Sequence, residues 1–259
     1  MQNAGNRAEL LKQVNLNDIA NDLKQPIEGN EDQKEEIQKK QQQGCNILQA
    51  LLNERDDDEL RRQILNLGII DSLLNIYNTL DLEQIDTDYI KVFLAFINPI
   101  NPTTLQLTIN KKSFPALVRL LERDYQYEAI LLINNILQCR STSSSLTQMH
   151  PYYDELASIR GIEKIYNIFK QGKYEYKQDQ KIQAAISLGY IFKARSIGNA
   201  EMKIQIIKYL KESINYKDKY LDEDQNLDIR KKVKNALRCL FYNSENRDEI
   251  EKDGFTIPE

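Results

Sequence analysis

Apolar residues recur along this chain at helical spacing. Ala129, Leu132, Ile133, Ile136 and Leu137 stand at i, i+3, i+4, i+7 and i+8, the stripe of one buried helix face. Leu117, Leu120 and Leu121 repeat the pattern before a polar break at Glu122–Asp124. Leu156, Ile159, Ile162, Ile165, Tyr166 and Phe169 continue it. No sustained alternation of period two, the mark of a half-buried strand, interrupts the helical spacing. The pattern predicts an all-α chain.

The apolar clusters are also self-similar at long range. Ile47–Leu52, the acidic Asp56-Asp57-Asp58, Arg61–Ile70 and Leu73-Leu74 form one segment. Ala236–Leu240, Ser244–Ile250 and Asp253-Gly254-Phe255 form another, with Ala129–Leu137, Arg160-Gly161-Ile162 and Ala184–Leu188 between them. Gly68, Ser113, Gly161 and Gly254 occupy equivalent turns. The steps fall near the roughly 40–47 residues of armadillo and HEAT arrays. Glycine suits such a tight bend because it tolerates positive φ, so left-handed backbone is expected at Gly68, Gly161 and Gly254. Pro115, just after Ser113, suits the first turn of a helix. A unit of this size cannot bury its own apolar face, so stacking on neighbours must supply the core.

Composition narrows the picture. Six prolines and nine glycines in 259 residues leave no Pro/Gly-rich linker, and the chain reads as a single repeat domain over 1–259. Residues 1–9 form a polar lead-in, and the last repeat is cut short at 254–259. Asn30–Gln43 is nearly all polar and reads as an exposed helix. The net charge is −4, and the basic cluster Arg230, Lys231, Lys232 and Lys234 follows the acidic Asp222, Glu223, Asp224 and Asp228. Nucleic-acid binding is disfavoured, because counterion release needs several clustered cations without acidic neighbours. No apolar run is long enough to span a bilayer. Cys45, Cys139 and Cys239 lie far apart with no CxxC pair, which points to reduced thiols in the cytoplasm or nucleus.

Two further motifs carry a name. Glu245-Asn246-Arg247 followed by Ile250 and Gly254, after Ala236-Leu237-Arg238-Cys239-Leu240, resembles the armadillo repeat of importin alpha and beta-catenin relatives. Ser113-Phe114-Pro115-Ala116-Leu117-Val118-Arg119-Leu120-Leu121 resembles a second signature of that family. The resemblance implies a right-handed α-α superhelix, an armadillo-type solenoid of about five repeats. It also implies that each unit's third helix contributes to a concave groove that binds extended peptides. The groove column then holds Ala50, Ala95, Asn135, Tyr190 and Cys239. One turn earlier stand Asn46, Lys91, Leu131, Ile186 and Asn235. The expected partner contacts are Asn46, Lys91, Asn135, Tyr190 and Asn235.

The function so implied is a non-catalytic scaffold or adaptor that binds a peptide or helix of another protein. Two alternatives are a nuclear-transport cargo adaptor and a solenoid enzyme acting on nucleic acid. The family's basic-signal clamp uses an array of asparagines and tryptophans, and here one asparagine stands in the column and the chain has no tryptophan. The cation–π platforms of such a clamp are missing. An uncapped C-terminal edge implies possible self-association.

Other chemistry is thin. His150 is the only histidine, so neither a histidine-based metal site nor a Ser-His-Asp triad can be assembled in the ordinary way. Asp222, Asp224, Asn226 and Asp228 have the alternation of a calcium loop, but Leu227 replaces the turn glycine and Val233 the final glutamate. No cofactor, metal or catalytic residue is expected. Cys45 reads as a small core residue, whereas Cys239 maps to the groove and is expected to be accessible. Arg140–Pro151, with its Ser141–Ser145 run, and Lys208–Gln225 read as surface loops or helix extensions, the former a possible phosphate acceptor.

Overall fold

A computed structural model describes residues 14–53, 57–98, 113–122, 126–143, 145, 147–171 and 178–259. The polar lead-in 1–9, Asp56 and Ser144 lie outside the described residues. Among those described there are thirteen α-helices and no strand. They are α1 (Leu16–Lys24), α2 (Glu31–Leu52), α3 (Asp58–Asn66), α4 (Ile69–Thr79), α5 (Thr87–Ile97), α6 (Phe114–Leu120) and α7 (Gln126–Ser143). After these come α8 (Tyr153–Ser158), α9 (Gly161–Gln171), α10 (Gln178–Ile191), α11 (Ala200–Glu212), α12 (Glu223–Phe241) and α13 (Ser244–Glu251).

Local chemistry starts many of these helices. Asn15, Asn30, Asp57, Asp86, Asn199, Asp222 and Asn243 each accept a hydrogen bond from a first-turn amide. Such caps satisfy donors that no carbonyl inside the helix can reach. Asn30 with Gln33, and Asp222 with Gln225, complete reciprocal capping boxes. The helix expected over Asn30–Gln43 is therefore present as the first half of α2, and the acidic stretch at Asp222 is a helix start.

The described residues form two compact units, one within Met1–Glu128 and one within Ala129–Glu259. In the first, α1, α4 and α6 pack in succession, α2 packs on α5, and α1 and α4 lie against α2 and α5. Leu48, Leu51, Leu52, Ile69, Leu73, Phe93 and Phe96 are wholly buried. Each such side chain contributes about 1.5–3 kcal/mol relative to exposure.

Polar bonds tie these helix ends together. Buried Gln41 donates to the carbonyls of Asp22 and Gln25 and accepts from Tyr89 Oη at 2.8 Å. Tyr77 Oη donates to Tyr89 O at 2.6 Å, and Arg119 donates to the carbonyls of Tyr77 and Leu80. Arg61, fully buried, donates to Phe96 O and Asn98 O at the end of α5. Helix C-termini leave carbonyls without intrahelical partners, and Gln41, Arg119 and Arg61 supply donors there.

In the second unit α10 packs on α9, α11 and α12, while α11 and α12 both pack on α13. At Gly189 the two helices α10 and α12 nearly touch, since a Cβ there would lie 2.6 Å from Ala236 Cβ. Asn134 donates to Gln183, joining α7 to α10. Asn246, wholly buried in α13, accepts from Ile197 N–H at 3.2 Å and donates to Arg195 O at 2.9 Å. This is what the Glu-Asn-Arg motif does: Asn246 pins the turn after α10, and Glu245 accepts from Ser196 at 2.6 Å.

Many of the long-range polar bonds in both units join residues between 35 and 52 positions apart. They run from 35 residues (Arg61 to Phe96) through 42 (Tyr190 to Lys232) and 49 (Asn134 to Gln183) to 52 (Lys193 to Ser141).

The turns depart from expectation in two places. Gly68 and Gly254 are left-handed, each with φ of 75°. At the third turn the left-handed residue is Arg160, φ 55°, and Gly161 is instead the buried first residue of α9. Ser113 is right-handed, with φ of −73°. Ser113 is buried directly before Phe114 and Pro115, so the chain there enters a helix without a left-handed step. The expected loop at Arg140–Pro151 is also partly helix: α7 runs through Ser143, and Ser141 and His150 are 4% and 3% exposed. Lys208–Glu212 is likewise the end of α11, followed by a 3₁₀ turn at Ser213–Asn215. No described helix is long and apolar enough to cross a membrane.

Candidate functional site

The five expected partner contacts separate by exposure. In the first unit Asn46 on α2 and Lys91 on α5 are exposed, on helices that pack side by side. Gln49 of α2 donates to Asp88 O at 3.4 Å, and Lys91 approaches Asp88 Oδ1 at 3.9 Å, so the polar edge of that pair is continuous. In the second unit Asn135 is 2% exposed and Tyr190 is fully buried. Both belong to the packing, which corrects their expected place as surface contacts. Tyr190 sits deep because α10 is covered by α9, α11 and α12; its hydroxyl lies 3.4 Å from Lys232 O. Cys239 is likewise buried, not accessible. Asn235 is half-buried on α12 and is the residue of the set in the second unit with open surface.

Around Asn235 the structure carries more than the sequence indicated. Residues 255–259 turn back along α12, with Phe255 in extended backbone. Arg238 donates to Pro258 O at 3.1 Å and to Asn235 Oδ1 at 3.4 Å. Lys234 donates to the main-chain oxygen of Glu259 at 2.7 Å. Lys211 of α11 donates to the carbonyls of Ile250 and Lys252 and lies 4.7 Å from the Phe255 ring centroid. A cavity of about 280 Å³ remains between the segment and the helices, lined by Phe241, Tyr242, Ile250, Phe255 and Ile257. The edge expected to be uncapped is thus partly covered by residues 255–259. Lys234 and Arg238 of α12 thus both donate to main-chain oxygens of residues 258–259. Lys234 and Arg238 were legible in the sequence only as charges on the helix.

The titratable groups of the core act as structure. His150 Nε2 donates to Leu137 O at 3.1 Å, and Nδ1 accepts from Tyr152 N–H at 3.2 Å, which fixes a neutral ring. Burial, with the nearby Lys193 and Arg140 charges, lowers its pKa to about 4. Lys193 is fully buried and donates to Ser141 O at 2.6 Å; burial lowers its pKa. His150 and Lys193 together close the C-terminus of α7. Burial raises the thiol pKa of Cys45 and Cys139, and that of Cys239 to about 11 against the opposing pull of Lys193 and Ser141. At neutral pH these thiols are protonated and weak nucleophiles. Asp228 pairs with Lys232 at 2.8 Å, and Asn226 donates to the carbonyls of Asp218, Leu221 and Asp222. The aspartates of the calcium-like spacing thus belong to a helix start and an ion pair. Among the described residues no three His, Cys, Asp or Glu side chains converge as metal ligands.

Compared with protein-family models, curated proteins and solved structures, the chain matches none.

Proposed function

We propose that this chain is an armadillo (ARM/HEAT-like) solenoid, a right-handed α-α superhelix that serves as a scaffold or adaptor. Its third helices, α2, α5, α7, α10 and α12, bind an extended segment or helix of another protein. The observation that carries the reading is the docking of residues 255–259 on α12, where Arg238 and Lys234 hold main-chain oxygens. Main-chain contacts of that kind bind extended segments of varied sequence, and adjoining apolar pockets add selectivity. The recurring separation of 35 to 52 residues between bonded polar partners supports stacked repeats. Asn46 and Lys91 offer exposed polar side chains to a partner in the first unit, while Asn135 and Tyr190 are buried in the packing of the second.

The test is selection of a random peptide library on the full chain. Enriched peptides are expected to lose at least tenfold in affinity, about 1.4 kcal/mol, on Asn46→Ala/Lys91→Ala or Asn235→Ala/Arg238→Ala variants. A library that yields no enriched peptide, or peptides indifferent to both variants, overturns the proposal.

A further inference from the structure

We infer a second recognition site on the face formed by α9, the start of α10 and α11, shaped to take the carboxylates of a Glu/Asp-rich peptide segment. A cleft of about 420 Å³ opens there, lined by Phe169, Lys170, Lys181, Gln205, Lys208, Tyr209 and Glu212. Lys181 Nζ lies 5.1 Å from the Phe169 ring centroid and 4.7 Å from that of Tyr209. Lys170 Nζ lies 4.9 Å from the Tyr166 centroid. The rings themselves are fixed, Phe169 edge-on to Tyr209 at 5.4 Å and stacked on Tyr166 at 6.0 Å.

Three lysines of the lining face one carboxylate, that of Glu212. Among the described residues neither Lys170 nor Lys181 meets a carboxylate, and Lys208 reaches only Glu212, at 4.0 Å with both side chains exposed. A chain with net charge −4 has acidic groups to spare, yet these ammoniums face aromatic rings instead. A ring face attracts an ammonium without neutralising it. Lys170 and Lys181 are therefore held in position with their charge still unmatched. An incoming carboxylate completes a carboxylate–ammonium–ring stack and loses little entropy in ordering the lysines.

The same geometry disfavours nucleic acid. The ammoniums already cover the ring faces on which bases would stack, and three lysines in one cleft do not make the basic track a phosphate backbone requires. Ile204, 44% exposed one turn before Lys208 on α11, offers an apolar contact beside the charges, as a peptide carrying an occasional aliphatic residue would use.

The experiment is fluorescence anisotropy of the full chain with a fluorescein-labelled hexaglutamate, at low and at physiological salt. Binding should weaken with salt. It should fall about five- to tenfold in Lys181→Gln, return in Lys181→Arg, which keeps the charge and the ring contact, and stay unchanged in Lys39→Gln, an exposed lysine of the first unit. Equal loss in Lys39→Gln, no response to Lys181→Gln, or no binding of hexaglutamate by the parent chain overturns the inference. So does tighter, Lys181-dependent binding of labelled oligothymidylate, which assigns the cleft to nucleic acid. Asn235→Ala/Arg238→Ala should leave hexaglutamate binding intact, so this site and the α12 slot fail separately.

Discussion

His150 makes the second unit sensitive to mild acid. Its ring is 3% exposed, and its two nitrogens are committed to opposite roles, Nε2 as donor to Leu137 O and Nδ1 as acceptor from Tyr152 N–H. Protonation would place a second hydrogen where Nδ1 now accepts and would add a charge beside Lys193 and Arg140. The folded-state pKa is therefore about 4, below the ordinary 6.5. The unfolded chain takes up the proton first, so this group's contribution is complete at neutral pH. It is lost as pH falls through the window from 6.5 to about 4. With about 1.4 kcal/mol per pH unit inside that window, the loss between about pH 7 and about pH 5 is about 2 kcal/mol. Carboxylates titrate in the lower part of the same range, so the measurement is a difference. Urea unfolding followed by far-UV circular dichroism is compared for the parent and His150→Gln, whose amide can still donate to Leu137 O but does not titrate. The parent should be the more stable near neutrality and should lose about 2 kcal/mol more than the variant on acidification. Parallel stability curves for the two proteins would refute the reasoning.

Further outcomes follow from individual contacts. Gly189→Ala should destabilise by about 1–3 kcal/mol in urea unfolding, because the added methyl meets Ala236 at 2.6 Å and must push α10 from α12. Asn246→Ala should lower stability by about 1–3 kcal/mol, since Ile197 N–H and Arg195 O lose their partner in a buried turn; amide exchange at Ile197 should accelerate with it. Gln41→Leu removes the acceptor of Tyr89 and the donor to Asp22 and Gln25. A loss of about 1–3 kcal/mol is expected in denaturant unfolding. Gly68→Ala, at φ 75°, should cost about 1–2 kcal/mol by the left-handed penalty, whereas Gly161→Ala should not incur that penalty; thermal unfolding of the pair distinguishes the two turns.

What the sequence by itself determined is local. The spacing of Ala129 to Leu137 placed α7, the polar Asn30–Gln43 run became half of α2, and Asn and Asp caps set where helices begin. These depend on residues three or four apart, so a linear reading reaches them. The tertiary structure decided which polar residues are used for what. Asn135 and Tyr190 carry no local mark that separates them from Asn46 and Asn235, yet neighbouring helices enclose the first two and leave the last two open. Arg160 rather than Gly161 is left-handed, and Gly161 is the buried first residue of α9. The hold of Lys234 and Arg238 on residues 255–259, and the setting of Lys181 over two rings, arise where distant segments meet. A side chain's exposure and partners are properties of the packed neighbours, and one-dimensional spacing does not contain them.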